Sequence, residues 1–191
     1  MTVEAISEAT VQVLQAVGLG RLTTTRVAER AGVSVGTLYQ YYPNQQALLY
    51  AVLKVDSSKV AEAVEGACRA NRDAAVKVLV AAVVEAYVNA KLEPHGRIDA
   101  PVCGRLRTAW GGNCATVLSK RVHRALTTAW AEAAGATLGE MEFVALILYS
   151  AIAGATRSVL EAGASEMMVV RLRQELLVFC QAYAAKSVRS N

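Results

Sequence analysis

The sequence predicts an all-α protein of about nine helices, with a three-helix unit at the N-terminus and a larger helical part after it. Apolar residues recur three and four positions apart along most of the 191 residues, which is the spacing of one helix face. Hydrophobic residues make up 54% of the chain and there are only three prolines, so long helices can bury a sizeable core. Neither Asn-Gly nor Asp-Gly occurs, so the commonest hairpin turns are missing and no sheet is predicted.

The boundaries of the N-terminal helices are marked by glycines and capping residues. Gly18 ends the first helix, and Thr23, Thr24 and Thr25 offer N-caps for the second. Gly32 supplies the left-handed residue of a tight turn, Ser34 caps the third helix and Asn44 caps the fourth. The predicted helices run over residues 3–17, 26–31, 35–41 and 45–68.

The later helices are indicated by apolar faces, and a loop with two prolines at 93–101 separates them into two groups. No internal repeat or low-complexity linker is present, so the domain boundary is expected within the long fourth helix. We place the two domains at residues 1–47 and 48–191. The predicted helices of this part run over residues 73–91, 102–109, 113–134, 138–162 and 165–187.

Several classes of protein are disfavoured by composition. The longest apolar run, 143–156, has about 14 residues, fewer than the roughly 18 that a membrane span needs. Glu4 and Glu8 replace the basic start of a signal peptide, so a cytoplasmic protein is expected. No nucleophile motif, phosphate loop or metal-ligand spacing occurs, so we predict no catalytic residues, no metal and no cofactor. The widely spaced cysteines are expected to be reduced and partly buried: Cys68, Cys103, Cys114 and Cys180.

Charge is unevenly distributed along the chain, whose net charge is +4. Residues 1–50 carry three basic and three acidic side chains, whereas residues 91–124 carry seven basic and two acidic ones. The basic segment fits either a solvated face or an entrance that attracts an anionic ligand, with Arg105 and Arg107 as candidates for the second role. The neutral N-terminus alone gives no indication of DNA binding.

The most informative stretch is residues 23–49, TTTRVAERAGVSVGTLYQYYPNQQALL, which has the pattern of two short helices joined by a tight turn. The second helix has an outer surface of aromatic, hydroxyl and amide groups. It also contains Gly36, which costs roughly 1 kcal/mol relative to alanine. A DNA duplex on this surface would explain its composition, because glycine permits close approach and Gln40 can read a base edge. A helical hairpin without a ligand leaves it unexplained.

This stretch closely resembles the DNA-binding motif of the TetR family of transcriptional regulators, and the resemblance extends over residues 3–55. The matching positions are Val27-Ala28, Ala31-Gly32-Val33-Ser34, Gly36-Thr37-Leu38-Tyr39, Tyr41-Tyr42 and Ala47-Leu48-Leu49. The resemblance implies a homodimer that binds double-stranded operator DNA and is released by a small-molecule effector, with repression as the usual outcome. The DNA-contacting residues that it implies are Thr24, Thr25, Ser34, Val35, Gly36, Thr37, Tyr39, Gln40, Tyr41 and Asn44.

The sequence departs from the family pattern in two ways. Gln45 occupies a position where members usually carry lysine, and no basic arm precedes the first helix. Each lost phosphate contact lowers affinity for DNA and reduces its salt dependence. A helical small-molecule-binding protein with weakened DNA affinity is therefore the alternative function.

The effector pocket of the family lies among its central helices. The resemblance therefore suggests a lining of Tyr87, Asn89, Arg107, Trp110 and Tyr149. Packing in the core is the alternative for the three aromatic residues of this set, and Trp130 is expected to be a core residue.

The last two helices are candidates for dimerisation. They carry a seam of small and apolar residues at 146–155 and an apolar stripe at 169–180, although part of either could belong to the core. Arg157 lies within the largely apolar stretch 143–160. Both exposure to solvent and pairing across a dimer interface remain possible for its side chain.

Overall fold

The computed structural model describes residues 2–92 and 113–189, and within these ranges all regular structure is helical. The all-α prediction is confirmed. The predicted loop at 93–101 and helix at 102–109 lie outside the described residues. The helices are α1 (Thr2–Val17), α2 (Thr24–Ala31), α3 (Val35–Tyr41), α4 (Gln45–Ala70), α5 (Val76–Leu92), α6 (Asn113–Ala134), α7 (Leu138–Glu161) and α8 (Glu166–Arg189), with a 3-10 turn at Leu19–Arg21.

The described residues form two compact units. Of these residues, 2–58 and 113–115 belong to the first unit, and 59–92 together with 116–189 belong to the second. The division falls within α4, whose first half belongs to the first unit and whose second half belongs to the other. Each unit has its own cluster of buried apolar side chains.

The core of the first unit is formed by α1, α2, α3 and the start of α4. Ile6, Val27, Leu38 and Leu48 are completely buried in it. Burying a side chain of this size stabilises a fold by about 1.5–3 kcal/mol. Because α3 has only seven residues, Leu38 is the main anchor that attaches this helix to the unit.

The turns of the first unit use the capping residues that the sequence indicates. The Thr23 hydroxyl accepts a hydrogen bond from the Arg26 N–H at 3.3 Å, so α2 begins at Thr24, two residues earlier than predicted. The Asn44 side chain accepts a bond from the Ala47 N–H at 2.8 Å, as expected for the cap of α4. Gly32 has a φ of 68°, the left-handed conformation that glycine adopts readily.

The second unit is built around contacts of α5 and α7 with α8. Its core includes Trp130, Leu148 and Ile152, together with the second half of α4. Helix α7 begins with a capping box, in which the Thr137 and Glu140 side chains each bond the backbone of the other residue. The Thr-x-x-Glu spacing of this box is visible in the sequence, but our sequence analysis did not use it.

Helix α7 corrects our estimate of the longest apolar segment. It has 24 residues, and one window of 18 has a mean hydropathy of 1.7, so among the described helices it is long and apolar enough to cross a membrane. The sequence estimate was too short because it ended at the polar residues on either side of the run. Only 22% of this window is buried, which leaves much of its apolar surface uncovered. A core helix of a protein outside the membrane can pass the same test.

Two of the four cysteines lie in the described core of the second unit as free thiols. Cys68 and Cys180 are both buried, as the sequence analysis expects for part of the set. Burial raises the pKa of the Cys68 thiol to about 11 and that of Cys180 to about 12. Both thiols are therefore protonated and unreactive near neutral pH.

Candidate DNA-binding surface

Helix α3 turns one side chain inward and most of the others outward. Leu38 is fully buried, whereas Tyr39 and Tyr41 are 46% and 48% exposed. Val35 is half-buried and packs partly against the core of the unit. At least part of the surface of each predicted DNA-contacting residue is open to solvent: Thr24, Thr25, Ser34, Val35, Gly36, Thr37, Tyr39, Gln40, Tyr41 and Asn44.

A hydrogen bond joins α2 to α3 on this outer surface. The Oγ1 atom of Thr24 lies 3.1 Å from the Oη atom of Tyr39, and either hydroxyl can be the donor. Thr24 is in the first turn of α2, where backbone N–H groups have no partner within the helix. The bond therefore holds the Tyr39 hydroxyl beside a set of free N–H donors.

The start of α3 contains a second hydroxyl pair. The Ser34 Oγ atom accepts a bond from the Thr37 N–H at 3.0 Å and lies 2.8 Å from the Thr37 Oγ1 atom. Ser34 thus acts as the N-cap, as predicted. A hydroxyl can donate one bond and accept two, so both groups keep hydrogen-bonding capacity for a ligand.

The three arginines of the first unit bond groups of their own unit. Arg30 donates from Nε to the Gln12 Oε1 atom at 2.6 Å. Arg26 donates from Nη1 to the carbonyl of Arg21 at 2.8 Å, and Arg21 donates to the carbonyl of Val17. Each guanidinium keeps further N–H donors, but its position is fixed by these bonds. The surface of α3 itself carries no formal charge.

Packing within the first unit does not require a glycine at position 36 of α3. A Cβ atom added to Gly36 would meet only the Ser34 Oγ atom, at 3.7 Å, which is an ordinary van der Waals contact. Alanine would fit there and would favour the helix by up to about 1 kcal/mol. The glycine is therefore better explained by a ligand that approaches the α3 backbone closely.

The predicted pocket residues of the second unit have different environments. Tyr87 is 5% exposed, and its ring meets that of Tyr149 edge to face, with 6.1 Å between the centroids. Asn89 is exposed, and its Oδ1 atom accepts a bond from Arg173 at 2.6 Å. Arg107 and Trp110 lie outside the described residues.

Two polar atoms of the same core have no hydrogen-bond partner among the described residues. These are the Nε1 atom of Trp130 and the Oγ1 atom of Thr156, and both residues are almost completely buried. An unpaired buried donor costs about 1–3 kcal/mol, so a partner is expected. Trp130 lies in the core, as expected from the sequence. No sequence pattern indicates the two unpaired atoms, because a missing partner is visible only after the chain has packed.

The outer surfaces of α7 and α8 carry uncovered apolar side chains. Phe143 and Val178 are 66% and 67% exposed. Part of the predicted stripe on α8 belongs to the core instead, including Leu172 and Leu176. Arg157 is exposed and has no ion pair with any residue of the described ranges.

The fold and this surface define an all-helical helix-turn-helix protein. Residues 6–52 match the family model of the bacterial regulatory proteins of the tetR family. The segment that contains α1 to α3 is therefore similar to the helix-turn-helix domain of this family, and the chain as a whole has the fold of solved TetR-family regulators.

Solved structures of TetR-family regulators share the fold at low identity. A regulator from Streptomyces coelicolor is 19% identical with a TM-score of 0.67, over 97% of this chain and 99% of its own. The repressor AlkX from Dietzia sp. is 21% identical with a TM-score of 0.63, over 96% of both chains. The regulator FadR from Bacillus subtilis, solved with stearoyl-CoA, is 18% identical with a TM-score of 0.73, over 94% and 98%. The sequence comparison with curated proteins found no match.

Proposed function

We propose that the protein is a cytoplasmic homodimeric transcriptional regulator that represses genes by binding operator DNA and is released by a small-molecule effector. The main support for this proposal is the outer surface of α3. Exposed tyrosines lie there on the same short helix as a glycine that no neighbouring side chain requires. A duplex lying on α3 accounts for both features.

Each residue of this surface has a proposed part in DNA binding. Tyr39, held by Thr24, and Tyr41 donate hydroxyl hydrogen bonds to phosphates. Gln40 is exposed between the two tyrosines and reads a base edge in the major groove. Gly36 lets the α3 backbone come close to the duplex. The remaining contacts are assigned to Thr25, Ser34, Val35, Thr37 and Asn44.

The apolar surfaces of α7 and α8 are proposed to form the dimer interface. Phe143 on α7 and Val178 on α8 are exposed in the single chain, and burying them would stabilise a pair of chains. A two-fold dimer presents two copies of α3 to half-sites that lie about one DNA turn, roughly 34 Å, apart. Arg157 is placed at the edge of this interface.

The effector is proposed to bind in the core of the second unit. Tyr87 and Tyr149 supply aromatic surface, and the unpaired atoms of Trp130 and Thr156 supply two polar contacts. An apolar pocket with a few polar groups is the usual form of a small-molecule site. Helix α4 contributes residues to both units, so we propose that it transmits the effect of binding, with a typical coupling of about 1–3 kcal/mol.

The first test is a fluorescence-anisotropy titration of the protein with its own upstream intergenic DNA. It is run at two salt concentrations with a scrambled duplex as control. Specific binding to the intergenic duplex supports the proposal and supplies an assay for effectors, with fatty acyl-CoA as a first probe because FadR was solved with stearoyl-CoA. Equal binding to both duplexes argues against specific recognition at this operator.

The alternative function is a helical small-molecule-binding protein with weakened DNA affinity. It is favoured by Gln45 and by the arginines that bond their own chain. A Gln45→Lys variant separates the two functions, and Gln46→Lys, which adds the same charge one residue further on, is its control. If only Gln45→Lys creates specific binding, the natural chain has lost an essential phosphate contact.

A further inference from the structure

A cleft in the second unit is lined by four arginines. It lies between the C-terminal end of α4 and helix α6 and has a volume of about 410 Å³. Arg69 lies in the last turn of α4 and Arg72 in the turn that follows this helix. Arg121 and Arg124 lie three residues apart on α6, a spacing that places two side chains on one side of a helix.

Two of these arginines are fixed by ion pairs that connect the two sides of the cleft. Arg121 of α6 donates two hydrogen bonds to the Glu65 carboxylate of α4, at 2.9 and 3.0 Å. Arg72, just after α4, pairs with Glu132 of α6 at 3.1 Å. The bond to Glu65 raises the pKa of the Arg121 guanidinium above its usual value. Both pairs hold the walls of the cleft together and neutralise their own charges.

The other two arginines keep their charge. Arg69 and Arg124 line the same cleft, are exposed, and form neither a hydrogen bond nor an ion pair with any side chain of residues 2–92 and 120–187. The two glutamates compensate only two of the four guanidinium groups, so the lining has a net charge of +2. No feature of the fold requires two like charges at this position, where their mutual repulsion is unfavourable.

We propose that this cleft binds the phosphate group of a small phosphorylated molecule. A phosphate carries close to two negative charges, which matches the uncompensated charge of the lining. Guanidinium groups form paired hydrogen bonds to phosphate oxygens, with Arg69 and Arg124 as the direct ligands. The volume exceeds what a phosphate needs and lies within the range of small-molecule sites, so the rest of the molecule has room in the cleft.

The proposed phosphate site is independent of DNA binding. All of its named residues belong to the second unit, and none of them is in the proposed effector core. Phosphate binding can therefore be measured on the full chain without DNA, and failure of one proposal leaves the other untouched.

The test compares thermal unfolding of the full chain in inorganic phosphate, in glycerol 3-phosphate and in sodium chloride of equal ionic strength. We expect both phosphates to raise the melting temperature in a saturable way that chloride does not reproduce. Isothermal titration calorimetry then gives the affinity. Equal stabilisation by all three salts would overturn the proposal, since it would reflect screening alone.

Variants assign the binding to the cleft. Arg69→Gln combined with Arg124→Gln should weaken phosphate binding at least tenfold. Lys54→Gln combined with Lys59→Gln removes the same charge from exposed positions of α4 outside the cleft and should leave phosphate binding unchanged. Arg124→Lys keeps the charge without the forked donors and should have an intermediate effect. If the first double variant, with an unchanged melting temperature in chloride, binds phosphate as the natural protein does, the cleft is not the site.

Discussion

The hydroxyl groups of Thr24 and Tyr39 are hydrogen-bonded to each other, 3.1 Å apart, on the outer surface of the first unit. The resemblance to the TetR family implies a DNA contact at each of these two positions. Two hydroxyls provide two donor hydrogens, and their mutual bond uses one of them. The pair therefore has one hydrogen left to donate to a phosphate, and the two residues should act as one contact.

Removing either hydroxyl should weaken DNA binding by a similar amount. For Tyr39→Phe and for Thr24→Val we expect a loss of about 0.5–1.5 kcal/mol, or roughly 2- to 12-fold in affinity. The double variant should lose little more than either single one, because the two residues form one contact. Anisotropy titrations with operator DNA measure all three. Tyr183→Phe, which removes the same group from the second unit, should have no effect, and fully additive losses would contradict the shared contact.

Replacing the glycine of α3 should stabilise the fold and weaken DNA binding. Gly36→Ala should raise the free energy of unfolding by up to about 1 kcal/mol, because alanine favours the helix and its methyl group has room. The same methyl group should obstruct close approach of the duplex and weaken DNA binding. Urea denaturation and anisotropy measure the two effects. The control is Gly66→Ala in α4, which should change stability without changing DNA affinity. If Gly36→Ala leaves the DNA affinity unaltered, the duplex does not approach the α3 backbone closely at this position.

A charge on the exposed surface of α7 should disrupt the dimer. In Phe143→Glu each chain loses a buried phenyl contact, so the dimer should lose about 3 kcal/mol or more. This corresponds to at least a hundredfold increase in its dissociation constant. Analytical ultracentrifugation measures the change. Val78→Glu places the same charge at another exposed apolar position, on α5, and should leave the dimer intact. Equal dissociation in both variants would argue against an interface at α7.

The capping box of α7 should contribute to the pH dependence of stability. Hydrogen bonds from the hydroxyl and backbone N–H of Thr137 lower the pKa of Glu140 below its usual value of 4.5. This contribution is therefore fully present above that value and is lost as the pH falls through the lowered pKa. Glu140→Gln should reduce the melting temperature at neutral pH and much less in acid. Glu142→Gln, on the same helix, is the control, and a difference independent of pH would contradict this account.

The sequence predicted the helices well because their ends depend on local chemistry. Thr23, Ser34 and Asn44 cap helices through bonds to residues three positions away, and such contacts can be deduced from spacing. The partial burial of Val35 has a different origin. A valine next to a cap can point toward the core or toward solvent, and the packing of α3 against its neighbours determines which.

The candidate sites were less predictable than the helices, because they depend on contacts between distant parts of the chain. The bond between Thr24 and Tyr39 spans 15 positions and the pair of Arg121 with Glu65 spans 56. Neither has a signature in local spacing. The family resemblance indicated which residues of α3 face outward, but the arginine cleft and the unpaired atom of Trp130 became visible only in three dimensions.

The neutrality of the first unit affects how the protein would find its operator. Residues 2–58 carry four basic and four acidic side chains, so this unit has no net positive charge to attract random DNA. A protein of this kind should spend little time bound to the rest of the chromosome and should search mainly by diffusion through solution, with little sliding along the duplex. Its occupancy should also change little when the cell gains or loses salt during osmotic stress, so the regulated genes would respond to the effector under conditions that displace more basic regulators.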